Sequence, residues 1–196
     1  MKIFNKWDVE HVKVQDIALQ PYINTSSIIV PRSSGRLGLN RLWGKKIPIV
    51  ERLMNKMMVA GHRGKKHRLT SGKNTGKAVK TYKMVEKAFD IIEQKTKKNP
   101  VEVYIKALEN AAPREEITTI EYGGARYPQA VDMAPQRRID VALRIMVQGA
   151  YQKSWNSKKK TEECLAEEII YAYNIDTKSA AISKKLELER QADASR

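Results

Sequence analysis

One stretch of the chain interrupts an otherwise helical pattern, and it constrains the fold more than any other feature. Residues 117–122, and in part residues 127–133, are rich in β-branched side chains, with Gly123-Gly124 between them. Because glycine adopts positive φ without steric cost, this pattern predicts a β-hairpin at about residues 115–133. The loop Gly-Gly-Ala-Arg is longer than a minimal turn, so we expect Arg126 at or near its tip. An isolated hairpin is only marginally stable, so this one must lean on helices or be ordered by a partner.

The rest of the chain after residue 46 predicts helices, because apolar residues recur there at intervals of three and four. Proline in the first helical turn, or asparagine or threonine just before it, marks several of the predicted starts. We expect helices from Pro48 to Gly61, from Thr75 to about Lys95 with Val79 on the buried face, and from an Asn99 cap to just before Pro113. A fourth helix should begin at Pro135 and carry apolar residues as far as Ala150. The last two should run from a Thr161 cap to Asn174 and from a Thr177 cap into a frayed C-terminus.

These elements predict a mainly α fold, a compact bundle of about six helices with one protruding β-hairpin. Residues 47–196 form the predicted helical domain, and residues 1–46 form a basic N-terminal extension. Within that extension, residues 32–46 are rich in turn-forming and basic residues, so we expect them to be ordered only in part without a partner. A chain of 196 residues is about one domain's worth and is long enough to bury a core.

The formal net charge is +15, and a surplus this large favours a polyanion as the partner. No apolar run approaches the roughly 20 residues that would span a bilayer. The start of the chain also lacks the apolar segment of a signal peptide, so we expect no membrane attachment. The single cysteine, Cys164, excludes an internal disulfide and fits a reducing cytosol.

The longest stretch of one charge sign lies between Glu51 and Glu86, where no acidic residue occurs. It contains the glycine-rich loop 62–75. Dense like charges repel unless a polyanion neutralises them, so we favour a phosphate-contacting loop over a solvated, flexible one. Arg137 and Arg138 lie in the first turn of a predicted helix, where the helix dipole disfavours cations. Either a nucleic-acid contact or a solvated helix start explains these two arginines.

Residue patterns typical of catalytic and metal sites do not occur in the sequence. The histidines, His11, His62 and His67, are not spaced with Cys164 or a carboxylate as metal ligands are, so we expect no zinc site and no cofactor. Cys164 is better explained as a buried structural thiol than as a nucleophile. Residues 71–78 are similar to a phosphate-binding P-loop but lack its first glycine and its final serine or threonine. We therefore predict that the chain is not an enzyme.

Segments spread over the whole chain carry a family resemblance. They are residues 47–58, Gly76-Lys77 followed by Met84-Val85 and Ala88-Phe89, residues 99–115, residues 129–132 with 135–138, residues 161–166 and residues 181–190. In this order they resemble the small-subunit ribosomal protein seven family, in its archaeal and eukaryotic form. Ala78 departs from the family pattern, which usually has a third basic residue there. The loop 62–75 and the extension before about residue 45 exceed the bacterial pattern.

The resemblance implies a mostly helical domain with a protruding β-hairpin, in agreement with the periodicities. It also implies a cytoplasmic, structural constituent of the small ribosomal subunit that binds the 3′ major domain of the ribosomal RNA and nucleates assembly of the subunit head. The implied partners include neighbouring ribosomal proteins of the head and platform. The exit-site tRNA and the messenger exit channel are expected near the hairpin.

We expect a rigid helical frame whose basic edges neutralise phosphates and recognise the shape of folded RNA. The candidate RNA-binding residues are Arg32, Arg36, Arg41, Lys45, Lys46, Arg63, Lys65, Lys66, Arg68, Lys73, Lys77, Arg114, Arg126, Arg137, Arg138, Lys158, Lys159 and Lys160. Arg126 is the candidate for contact with tRNA or messenger RNA, and a solvated turn arginine is the alternative. Trp155, next to residues 158–160, either stacks on a base or packs on the protein.

The main alternative function is that of a DNA-binding or chromatin-type basic helical protein. A helix-turn-helix needs a short turn followed by a recognition helix with polar and basic side chains on its exposed face. The short link at residues 96–99 has two lysines, but the helix after it is acidic and apolar. An RNA-modifying enzyme is a third class, and it would need the cofactor loop and catalytic cluster that the sequence lacks.

Overall fold

The computed structural model describes residues 2–26, 28–36, 46–63, 66–67 and 74–196, with the backbone alone described at residues 62, 63, 66 and 67. The described residues form the helices α1 (Ile49–Met57), α2 (Ala78–Thr96), α3 (Pro100–Ala111), α4 (Pro135–Ser154), α5 (Thr161–Tyr173) and α6 (Ala180–Asp193). They also form two antiparallel strand pairs, β1 (His62–Arg63) with β2 (Lys66–His67) and β3 (Glu115–Tyr122) with β4 (Ala125–Asp132). The predicted helical bundle with a protruding hairpin is confirmed. No helix in the described part of the chain is both long and apolar enough to cross a membrane.

Helix α5 lies at the centre of the bundle, where it packs against α2, α3 and α4. Its residues Cys164, Leu165, Ala166, Ile169 and Ala172 are fully buried. A helix that is apolar on this much of its circumference needs neighbours on several sides to cover it. Burial raises the pKa of the Cys164 thiol, as expected for a structural cysteine rather than a nucleophile.

Helix α3 begins where the sequence predicts. The side chain of Asn99 caps it by accepting a hydrogen bond from the Val101 N–H at 3.0 Å. Pro100 fits the first turn, because its φ suits a helix and its missing N–H has no partner there to lose. Helix α2 begins later than predicted, at Ala78. Val79 therefore lies in the first turn, beyond the edge of the core, and its 60% exposure shows that its predicted burial is wrong.

The first part of the N-terminal segment is packed into the same core as the helices. Phe4 and Trp7 are buried, and their rings meet the Phe89 ring edge-on at centroid distances of 6.1 and 5.7 Å. The indole N–H of Trp7 donates a hydrogen bond to Glu93 at 3.0 Å. A domain boundary at residue 46 stays a prediction, but the residues that precede it complete the helical core.

Three predicted helix boundaries, the end of α1 and the starts of α5 and α6, differ from those in the structure by a few residues. Helix α1 ends at Met57 rather than at Gly61. Thr161 is the first residue of α5 and not its cap, since no side chain caps that helix. The cap of α6 is Ser179 rather than Thr177, because the Ser179 hydroxyl accepts hydrogen bonds from the first N–H groups of the helix. The Ser179 hydroxyl also donates to the buried Glu168 at 2.8 Å, so tertiary packing selects this cap.

The β3–β4 hairpin has a two-residue turn, which is shorter than predicted. Gly123 and Gly124 have φ angles of 58° and 82°, the positive values that such turns require. Arg126 consequently lies inside β4, opposite Glu121, and not in the loop. Pro128 lies opposite Thr119. Counting outward from the hydrogen-bonded pair next to the turn, this is a non-hydrogen-bonded position, so the missing proline N–H costs no ladder bond.

Only the base of the hairpin rests on the helices. The Arg114 N–H donates to Glu189 of α6 at 3.1 Å, and Glu115 forms an ion pair with Arg196. Ala192 of the same helix is fully buried, so the predicted fraying of α6 is wrong. Residues 117–129 are all exposed. The outer part of the hairpin therefore projects from the bundle, as the sequence suggested.

Candidate nucleic-acid interface

The adjacent arginines at the start of α4 have different environments. Arg138 is 7% exposed and donates to the Pro113 carbonyl at 3.0 Å and to Asp16 at 2.9 Å. Its positive charge at a helix start is thus balanced inside the protein. Arg137 is exposed and forms a two-pronged ion pair with Glu116 at 2.6 and 2.7 Å. A hydrogen bond to Glu116 raises the pKa of Arg137, so it stays a cation on the surface.

The pair between Arg138 and Asp16 also affects the titration of the carboxyl. Partial burial acts to raise the pKa of Asp16, but hydrogen bonds from the Ala18 N–H and from Arg138 outweigh it, and the pKa is lowered. A carboxyl with a depressed pKa contributes stability above its unfolded pKa of about 4 and loses that contribution as the pH falls through its folded pKa. Arg138 therefore stabilises the fold through contacts within the protein, and its guanidinium is not an exposed cation of the candidate interface.

A cleft of about 730 Å³ between α1 and α4 gathers cations that the sequence analysis did not select. Lys56 from the last turn of α1 and Arg144 from α4 line it together with Arg137. Neither Lys56 nor Arg144 forms an ion pair with any described residue. Arg144 follows Arg137 by seven residues, which is two helical turns and puts both arginines on the same face of α4. This spacing in the sequence could have identified Arg144 as a candidate. Lys56 had no comparable signal, because the packing of α1 on α4 creates the cleft.

A second cleft of about 700 Å³ continues from the first one across α4 toward α6. Arg137 and Arg144 line both clefts, and Lys184 contributes from α6. The charges here are mixed, since Lys184 pairs with Glu187 at 2.7 Å. The exposed side of α4 is thus a continuous surface with its strongest positive character on the side of α1.

The basic connector between α4 and α5 is exposed at all three of its predicted sites. Lys159 forms an ion pair with Glu167 at 2.8 Å, and this hydrogen bond raises the pKa of Lys159. Lys158 and Lys160 are exposed. Trp155 is 49% exposed at the end of α4, with its ring centroid 6.1 Å from that of Tyr151. Partial packing on Tyr151 leaves part of the indole on the surface.

The described cations of the N-terminal extension are exposed and line neither of these two clefts. Arg32 and Arg36 are exposed, and Arg36 donates to the Ser33 carbonyl at 3.3 Å. Lys46 is exposed, and its carbonyl accepts a hydrogen bond from the Asn24 side chain at 2.6 Å. Lys77 is exposed immediately before α2.

The hairpin carries exposed aromatic and basic side chains together. Arg126 is 3.5 Å from Glu121, and both side chains are largely exposed. Tyr122 and Tyr127 are 82% and 58% exposed. At the hairpin base, Arg114 is exposed as well.

Part of the predicted interface falls where the structure gives no side chains. Arg63 lies in β1 and Lys66 in β2, in a short strand pair within the loop predicted at residues 62–75, and only their backbones are described. The remaining predicted sites, Arg41, Lys45, Lys65, Arg68 and Lys73, lie outside the described residues. All the predicted RNA contacts stay predictions, including those of the described side chains.

Comparison with known proteins gives this surface its context. Residues 13–196 match the family model described as ribosomal protein S7p/S5e. The chain belongs to this family. Family membership confirms the resemblance seen in the sequence, and it supports the prediction of a non-enzymatic protein, since this family is a structural component of the ribosome.

Full-length relatives in the family come from several archaea. The small ribosomal subunit protein uS7 of Nanoarchaeum equitans is 54% identical over 196 residues, covering 100% of this chain and 99% of the relative. The protein of the same name from Methanothermobacter thermautotrophicus is 46% identical over 190 residues, covering 97% and 96%. That of Methanothrix thermoacetophila is 44% identical over 196 residues, covering 100% of both chains. The archaeal and eukaryotic form suggested by the sequence agrees with these matches.

Proposed function

We propose that this protein is a cytoplasmic, structural constituent of the small ribosomal subunit that binds the 3′ major domain of the ribosomal RNA and nucleates assembly of the subunit head. Membership of the ribosomal S7 family supports the ribosomal role. The net charge of +15 supports a polyanionic partner. Neighbouring proteins of the head and platform complete the proposed assembly.

The observation that carries the RNA-binding proposal is the row of cations along the cleft between α1 and α4. Lys56 and Arg144 line this cleft and form no ion pair with a described residue, and the carboxylate that also lines it, Asp140, is paired with Arg52 at 3.1 Å. Such cations neutralise RNA phosphates and release the counterions condensed on the RNA, which supplies a large share of the affinity for nucleic acids. Rigid helices hold the two cations at a fixed spacing, as recognition of RNA shape requires.

We assign the projecting hairpin to a different partner, the exit-site tRNA or the messenger RNA nearby. Arg126, Tyr122 and Tyr127 are all exposed near its tip, with both tyrosines on one face of the hairpin and Arg126 on the other. Exposed aromatic rings can stack on unpaired bases, and an arginine on the opposite face can contact a phosphate of the same strand or a neighbouring one. The test is Arg126→Ala in assembled subunits, with exit-site tRNA occupancy as the readout. Unchanged occupancy would remove Arg126 from this role.

The main test is binding of the purified chain to the isolated 3′ major domain across a salt series. Duplex DNA and a scrambled RNA serve as competitors. We expect binding that survives both competitors at physiological salt. Equal binding to all three polyanions would show that charge alone drives binding, and selective displacement by duplex DNA would favour a DNA-binding protein.

The cleft itself is tested with charge-matched variants. Lys56→Gln combined with Arg144→Gln should weaken RNA binding and lower the slope of log K against log salt by about two. The control removes the same charge from α2, by Lys87→Gln with Lys95→Gln. Those lysines are exposed, and each lies 3.8 Å from a carboxylate of α5. Equal losses from both double variants would contradict a specific role for the cleft.

A further inference from the structure

A different cleft, of about 630 Å³, separates α1 from the beginning of α2. It lies apart from the basic cleft between α1 and α4. Its walls are mostly apolar and include Val30, Met54, Met58, Val79 and Tyr82. The phenol ring of Tyr82 is the aromatic member of this set. Such walls favour a flat, largely apolar group over a hydrated ion.

A buried carboxylate lines this apolar cleft. Glu51 is 4% exposed, and its Oε1 accepts hydrogen bonds from the Ser33 N–H at 2.8 Å and the Ser33 hydroxyl at 2.6 Å. Its Oε2 is also buried and accepts no hydrogen bond from any described residue. Buried acceptors are nearly always paired, because an unpaired one has lost water without replacement. We therefore expect a bound partner to donate a hydrogen bond to Glu51 Oε2.

We propose that this cleft binds one unstacked base of the ribosomal RNA, whose exocyclic amino group donates a hydrogen bond to Glu51 Oε2. The proposal rests on the RNA-binding function proposed above. Proteins that recognise RNA commonly take a splayed-out base against an aromatic ring and bond its Watson–Crick edge. Tyr82 supplies the ring here, Glu51 supplies the acceptor, and the exposed Arg32 on the cleft lining supplies a cation for the nucleotide phosphate.

The carboxylate also predicts which of the two pyrimidines fits. Cytosine presents an amino donor at position 4 of its ring, where uracil presents a carbonyl acceptor. A carboxylate oxygen pairs with the first and repels the second. A basic peptide could also donate to Glu51, but the net charge of +15 repels such a partner and attracts RNA.

The test uses protein labelled with carbon-13 at its methionine methyl groups and titrated with cytidine or uridine 5′-monophosphate. Met54 and Met58 report on the cleft, and the fully buried Met146 of α4 is the internal control. We expect cytidine monophosphate to shift the Met54 and Met58 signals at concentrations at least tenfold lower than uridine monophosphate does, with nuclear Overhauser contacts to the base protons. Absence of these contacts with cytidine monophosphate would overturn the proposal.

Two variants test the hydrogen bond and the cleft separately. In Glu51→Gln the amide oxygen replaces Oε1 beside Ser33 and the amide N–H₂ replaces Oε2, so the preference should reverse toward uridine monophosphate. An unchanged preference would remove Glu51 from base recognition. Val79 lies at an exposed position on the cleft lining, so Val79→Trp should narrow the cleft and keep the fold. This variant should abolish the Met54 and Met58 shifts with either nucleotide. Retained responses would place the nucleotide elsewhere.

Two further measurements separate this inference from the proposed function. The wild-type chain is bound to the 3′ major domain, and Met54 and Met58 are followed in the complex. Tight, selective binding with both signals unchanged would overturn the base pocket and leave the RNA-binding function intact. A response to hexa-arginine in place of cytidine monophosphate would assign the cleft to a protein partner and likewise overturn the proposal.

Discussion

The helical core and the outer hairpin each contain an arginine paired with a carboxylate, but the two pairs have different surroundings. In the core, Arg138 lies 2.9 Å from Asp16, and their side chains are 9% and 27% exposed. On the hairpin, Arg126 lies 3.5 Å from Glu121, and their side chains are 75% and 61% exposed. Water and salt screen the second pair and leave it free to exchange its partner for a phosphate. Burial, rather than residue type, separates the charges that build this fold from those that can serve binding.

The largest effect that we predict comes from breaking the less exposed pair, that of Arg138 with Asp16. Arg138→Ala leaves Asp16 without its cation and the Pro113 carbonyl without its donor, so the free energy of unfolding should fall by about 3 kcal/mol. Arg126→Ala is the control from the hairpin and should cost less than about 1 kcal/mol. Urea unfolding of both variants gives the comparison. Similar small losses would mean that the Arg138 pair is not a structural element.

The sequence predicted local features of this fold better than distant ones. The start of α3 follows from Asn99 and Pro100, which are neighbours in the chain, and so it was found. The partner of Arg138 was not found, because Asp16 is 122 residues away in sequence. The cap at Ser179 was missed for a similar reason, since Glu168 of another helix holds that serine in place.

The basic interface shows the same limit. Charge runs predicted the connector at residues 158–160, whose lysines are exposed. Lys56 and Arg144 were missed, because the cleft that brings them together exists only after α1 packs on α4. The length of the hairpin turn was also misjudged, since strand pairing continues to Tyr122 and Ala125 and includes Arg126.

A smaller loss of stability is expected from replacing a glycine of the helical core by alanine. A Cβ added at Gly149 of α4 would lie 2.7 Å from the Ala180 Cβ and 3.3 Å from the Glu168 carboxylate. Gly149→Ala should therefore destabilise the core by about 2 kcal/mol through overpacking. Ala180→Gly in the same chain should recover most of this loss, since it removes the clashing atom, and urea unfolding measures both. No recovery would show that the clash lies elsewhere.

Gly124 is the matched glycine on the hairpin. It has a φ of 82°, and a Cβ added there would meet nothing within 4 Å. Gly124→Ala should strain the turn by about 1 kcal/mol. Since the outer hairpin hardly touches the helices, we expect faster amide exchange in β3 and β4 with the global unfolding midpoint unchanged. A lowered midpoint would instead couple the turn to the core.

The smallest effect on stability should come from removing the outer hairpin altogether. Deleting residues 119–122 and 125–128 joins Thr118 to Gly123 and Gly124 to Gln129. Thr118 and Gln129 already pair across the two strands in the intact hairpin. Removing four residues from each strand keeps every remaining side chain on its original face, because the strand repeat is two. The deleted residues are all exposed, so the free energy of unfolding should change by less than about 0.5 kcal/mol.

The same shortened chain separates stability from function in one molecule. We expect it to bind the 3′ major domain as the intact chain does, because the cleft cations Lys56 and Arg144 remain in place. Assembled subunits that contain it should hold exit-site tRNA less well, because the exposed surface of Arg126, Tyr122 and Tyr127 is gone. A loss of RNA-domain binding would contradict the division of roles between core and hairpin. A loss of more than about 1 kcal/mol of stability would show that the hairpin supports the core, beyond what exposed residues normally contribute.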